Sequence, residues 1–128
     1  MEKVKGLLAV LFCVCALAST VACSKAPGDV AVKFLEGLRD GNTPMLADNC
    51  TPEFAEEMTE LVRHSKEDEA RWKRAWEDVS FKVVKTEIDG ERAVVDIELS
   101  KKGETEVDLE TYILRKIDGT WKVCEKAW

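Results

Sequence analysis

The sequence predicts an α+β domain, with N-terminal helices laid on a four-stranded antiparallel meander, and three observations predict it. Apolar residues recur at helical spacing through the first half of the chain. From Val79 onward the period changes to two, in runs rich in β-branched and aromatic residues. Asp89-Gly90, Lys102-Gly103 and Asp118-Gly119 then divide that second half into four runs. A chain of 128 residues, 45% hydrophobic, suits one domain, and residues 29–128 are its predicted extent.

Taken in order, Ala31, Phe34, Leu35 and Leu38 mark the inner face of a first helix, with Asp29 as its predicted N-cap and Gly41 as its stop. A short second helix opens at Thr43-Pro44 and buries Met45 and Leu46. A third opens at Thr51-Pro52, with Phe54, Met58, Leu61 and Val62 facing inward. "SKED" (65–68) reads as a new N-cap, with Ser65 as the cap and Asp68 in the position of the capping-box acid. A fourth helical segment then carries Trp72, Trp76 and Val79 on one side. The strands are predicted within "VSFKVVKTEI", "RAVVDIELS", "EVDLETYILRKI" and "TWKVCEKAW", and type I′ turns are expected at the Asp-Gly pairs. Helices cover one face of this sheet, while Lys82, Glu98 and Lys122 occupy the other.

Ahead of the domain, "EKVKG" carries two lysines, residues 7–18 are uninterruptedly apolar, and small residues follow at Ser19, Thr20 and Ala22. This is the pattern of a cleaved secretory signal peptide spanning residues 1–22. An apolar run of this length falls short of the roughly 20 residues that span a bilayer. Thr20-Val21-Ala22-Cys23 resembles the lipobox of bacterial lipoproteins, although Thr20 stands where that motif favours Leu. The resemblance implies that Cys23 becomes the acylated first residue, followed by a short linker over 24–28, so that the membrane is a partner through the N-terminal lipid. Ser24, in place of Asp, implies outer-membrane sorting in a Gram-negative host. Cleavage after Ala16-Leu17-Ala18 is the alternative, and it would release a soluble secreted or periplasmic protein.

The formal net charge is −6, and loss of residues 1–22 makes it −7, which disfavours nucleic acid as a partner. No cofactor is expected, and no metal either, because a metal site needs three or four ligands and His64 is the only histidine. Of five cysteines, Cys50 and Cys124 remain in the folded part as a candidate disulfide for an oxidising compartment. Closing that loop would stabilise the fold by about 4 kcal/mol in the chain-entropy picture. The alternative is two separate thiols, and Cys124 has the parity opposite to the core residues Trp121 and Val123 unless a bulge intervenes.

The opening "VAVKFLEGLRDGNTPMLADNCTPEF" (30–54) and the closing "YILRKIDGTWKVC" (112–124) resemble small bacterial lipoproteins of unknown function with a cystatin-like, nuclear-transport-factor-two-like (NTF2-like) domain. The resemblance implies a curved, cone-shaped sheet that often encloses a pocket. It also implies roles ranging from isomerase or dehydratase to ligand carrier or dimerisation module, and fold alone does not choose among them.

Tyr112, the only tyrosine, is the candidate pocket residue. An isomerase would pair it with a strand carboxylate, but Asp96 and Asp108 alternate with apolar neighbours and are predicted to face solvent. Arg71, Trp72, Arg74 and Trp76 form a candidate binding patch, although the two tryptophans also fit a core stripe. His64 suits a half-exposed helix C-terminus, and Trp128 admits either a packed or a protruding position. The function expected from the sequence is non-catalytic binding of a protein or small ligand by a lipid-anchored domain. A pocket enzyme and a structural homodimer are the alternatives.

Overall fold

The computed structural model describes residues 25–127, so the predicted signal peptide, Cys23, Ser24 and Trp128 lie outside the described residues. Four helices precede four strands: α1 (Pro27–Asp40), α2 (Thr43–Asn49), α3 (Pro52–Ser65), a 3-10 turn (Lys66–Asp68), α4 (Glu69–Trp76), β1 (Val79–Asp89), β2 (Arg92–Lys101), β3 (Val107–Ile117) and β4 (Thr120–Ala127). The strands form one antiparallel sheet in the order β1-β2-β3-β4.

Helix α1 begins two residues earlier than the predicted Asp29 cap. Pro27 occupies the first turn and Ala26 is the N-cap, with no side-chain hydrogen bond. Proline is tolerated there because that N–H has no intrahelical partner in any case, and Asp29 lies in the first turn, where the helix dipole favours an acid. The predicted linker is correspondingly shorter, because Pro27 and Gly28 are already buried in the helix. At Gly28 the helix runs close over β1, and an added Cβ would stand 3.2 Å from a methyl of Val83. Gly41 ends the helix at φ 65°, a left-handed conformation that glycine adopts without penalty. Its N–H donates to Leu38 O and that of Asn42 to Gly37 O.

The "SKED" cap is shifted as well. Ser65 closes α3, its hydroxyl donating to Val62 O at 2.6 Å, while Asp68 caps α4 by accepting from the Arg71 N–H at 3.1 Å. Positive φ at both central residues, as a type I′ turn requires, occurs at Asp118-Gly119. In the first hairpin Asp89 instead pairs with Arg92, leaving Gly90 and Glu91 as the turn, and of these only Gly90 has positive φ.

Pairing places Ala93, Val95, Ile97, Tyr112, Leu114, Trp121 and Val123 on the inner face, all buried beneath the helices. Phe34 stands between Phe54 and Tyr112, with ring centroids 5.4 and 5.3 Å away. Register shifts at Val83/Lys85 and Ile113/Leu114 mark bulges that bend the sheet around the helices. No helix among the described residues is long and apolar enough to cross a membrane.

Candidate functional site

At one end of the helical layer the packing opens. Phe34 and Leu38 of α1, Phe54, Met58 and Leu61 of α3, and Trp72 and Trp76 of α4 wall a half-open cavity of about 490 Å³, and β3 and β4 floor it with Glu110, Tyr112, Cys124 and Lys126. Leu61 satisfies its predicted inward parity, yet it remains 42% exposed because what it faces is this opening. The tryptophans are held by their own contacts. Their rings lie 5.8 Å apart, Trp76 meets Phe81 edge-on at 6.0 Å, and Trp72 Nε1 donates to Arg39 O at 3.4 Å.

The polar floor is a short chain. Tyr112 is 2% exposed. Its hydroxyl donates to Glu110 Oε1, and Lys126 Nζ approaches Glu110 Oε2 at 3.4 Å. Burial, reinforced by the neighbouring Glu110, pushes the Tyr112 phenol far above its ordinary value, so the phenol stays protonated. The site therefore offers an aromatic and aliphatic wall, one internally satisfied polar cluster in its floor, and the exposed carboxylates of Glu57 and Glu125 at its lining. Among the described residues no grouping of His, Cys, Asp and Glu suits a metal.

The structure distributes the residues singled out from the sequence as follows. Tyr112 lies in the cavity floor. The patch 71–76 divides, because Trp72 and Trp76 turn to the cavity while Arg71 and Arg74 are exposed. Asp96 is on the outer face, accepting from Thr111 Oγ1 at 2.7 Å. Asp108 is exposed to solvent as expected, but not by the parity assigned to it, since Val107 and Leu109 are the exposed, outward pair and Asp108 shares the inner-face parity of Glu110 and Tyr112. His64 is 65% exposed on α3, between Glu60 and Glu67 and away from the cavity.

The candidate disulfide is not formed, and Cys50 and Cys124 are free thiols. Cys50 follows α2, where its backbone bridges to Val123, and it is buried in the core. Cys124 is the extra residue of the β4 bulge, and its sulfur is directed to Ile113 O at 3.3 Å instead of to Cys50. Burial raises the Cys50 thiol to about 12, against a smaller opposing pull from Lys122.

Two floor residues escaped the sequence reading. Glu110 was accessible by counting back two residues from Tyr112 along the strand. Lys126 was not, because without the bulge its parity would point it outward.

The family described as Domain of unknown function (DUF4878) matches residues 21–124. No curated protein matches the sequence. Among solved structures, an NTF2-like protein of Campylobacter jejuni, named provisionally as a transpeptidase, superposes with a TM-score of 0.61 at 20% identity, covering 80% of this chain and all of that one. A SEC-C motif containing protein from Rhodopseudomonas palustris gives 0.51 at 15% identity, covering 90% of this chain and 87% of the other. At such identities the likeness establishes the fold, which is NTF2-like.

Proposed function

This chain belongs to the family described as Domain of unknown function (DUF4878), and from that premise we propose that it is a non-catalytic binding domain. It holds a small, mainly apolar ligand in the helix–sheet cavity and is carried on the bacterial envelope by acyl chains at Cys23. The half-open cavity of about 490 Å³ carries the reading, because a wall of Phe34, Leu38, Met58, Trp72 and Trp76 rewards apolar contact while a few polar atoms orient what enters.

The polar floor supports binding over turnover. The carboxylate beside Tyr112 is not a free base, because both oxygens of Glu110 are engaged, one by Tyr112 and one by Lys126, and the other two lining carboxylates, Glu57 and Glu125, are exposed to solvent instead of enclosed with a substrate. Acyl transfer of the kind named for the Campylobacter protein requires an activated nucleophile. Cys124 directs its sulfur to a backbone carbonyl, and the only histidine stands outside the cavity.

If Cys23 bears the lipid, three residues separate it from α1, a reach of about 10 Å, so the domain rides close to the bilayer. Cys23→Ala should abolish palmitate labelling and release the protein from the membrane fraction, and retained labelling would sink the anchor. The cavity is tested by titrating the purified full chain with uncharged 1-naphthalenemethanol. Saturable binding that Leu61→Trp weakens at least tenfold, with an unchanged unfolding midpoint, is expected; no saturable binding overturns the reading.

A further inference from the structure

We infer that the binding site continues beyond the cavity into an acidic outlet and that its ligand is an amphiphilic organic cation, an inference that rests on the cavity reading above. Trp76 and Glu110 border two spaces at once, the cavity and an adjoining depression of about 350 Å³ between the end of α4, β2 and the segment leading into β3. The two spaces differ in chemistry. The cavity wall is mainly apolar, with Glu57 and Glu125 exposed along it, whereas the depression adds the carboxylates of Glu104, Glu106 and Asp108. None of these three takes part in an ion pair among the described residues. Its one cation, Lys101, points its ammonium at Arg74 O, 2.6 Å away. In the cavity itself Lys126 is matched by Glu110, so it leaves no net positive charge to attract an anion.

A ligand bridging the two spaces thus meets aromatic faces at one end and excess negative charge at the other. Trp76 lies at the junction, with Trp72 beside it in the cavity wall, and an indole face attracts a cation through its quadrupole. Carboxylates of one sign beside a low-dielectric wall concentrate counter-charge at the opening. An ammonium with an apolar body satisfies both ends, whereas a fatty-acid-like anion would set its carboxylate against three others.

The test compares three probes with one apolar body and different charge: 1-naphthylmethylammonium, 1-naphthalenemethanol and 1-naphthoate. Each is titrated calorimetrically into the full chain in neutral detergent, against a detergent blank. The ammonium should bind about tenfold tighter than the carboxylate at low salt, with the alcohol between them and the spread narrowing as salt is added. The double reversal Glu106→Lys with Asp108→Lys, at two exposed positions, should weaken the ammonium about tenfold and leave the alcohol unchanged. Equal or tighter binding of the carboxylate while the alcohol still binds overturns the cation assignment alone, as does a double reversal that weakens the alcohol as much as the ammonium. Failure of all three probes to bind overturns the cavity reading and this inference with it.

Discussion

The two ends of the helical layer rest on the same sheet and are packed to different degrees. Where α1 and α2 cross β2 and β4, Leu35, Leu46, Ile97 and Val123 are completely buried. Where α4 meets the sheet, Trp72 and Trp76 are only half-buried, and Leu61 looks into open space. Both ends follow helical periodicity, so the pattern of apolar residues is not what separates them. The closed end has a helix lying directly on the strands, with Gly28 permitting close approach and Thr51 N–H donating to Val123 O at 2.9 Å. At the open end, α4 is eight residues long and is joined to α3 through a 3-10 turn, so it covers the sheet with two large rings in place of a packed helix face. The lesson is that an amphipathic stripe names the residues that turn inward but leaves open whether anything fills the space they face.

Substitutions can break or sharpen this contrast. At the closed end, Leu35→Ala should cost about 2–5 kcal/mol in urea unfolding, because a fully buried leucine leaves a cavity. At the open end, Trp76→Ala should cost less, about 1–2 kcal/mol, because the ring is already half in water, yet it should weaken 1-naphthalenemethanol binding far more than Leu35→Ala does. A larger stability loss at Trp76 than at Leu35 would erase the distinction. Tyr112→Phe removes the donor to Glu110 and should cost about 1–2 kcal/mol.

The two thiols report on the same contrast. Iodoacetamide should modify Cys124, at the cavity, well before buried Cys50. The raised value of Cys50 also has a sign. The folded state keeps a proton that the unfolded state releases above the ordinary thiol value of 9.0, so this contribution to stability is intact below pH 9 and is lost as pH rises toward about 12. The drop in urea midpoint between pH 8 and pH 10 should therefore shrink in Cys50→Ala. The smallest effect is expected at His64→Ala, within about 0.5 kcal/mol and without change in binding, since that side chain is exposed and does not line the cavity.

Much of this was legible in the sequence. The helices, the four strands and their glycine-containing connections follow from period and turn chemistry, which are local properties. The start of α1 was displaced because proline and glycine read as linker when they are in fact the helix's first turn under a close strand. Of the site, Tyr112 and the tryptophan pair could be named, and Glu110 was available from strand parity. The cavity itself was not legible, because it is a space left by the stand-off of α4, and no residue encodes a space directly. The orientation of Asp108 was misread because Val107 and Leu109 look like a core stripe, whereas they are exposed on the sheet's bare face, Leu109 at 61%.

The bulge at Cys124 gives strand β4 something like a reading frame. Upstream, the odd-numbered positions Trp121 and Val123 face inward; downstream, the even-numbered Lys126 does, opposite Tyr112. Were the extra residue paired in a continuous ladder, Glu125 would take the place across from Tyr112 and bring a second carboxylate beside Glu110. The charge at the floor of the cavity is therefore set by a frame as well as by composition. Among chains of this fold, a single insertion or deletion ahead of that position would exchange an ammonium for a carboxylate with no substitution at all, a route by which related domains could diverge in the ligands they accept while their cores stay the same.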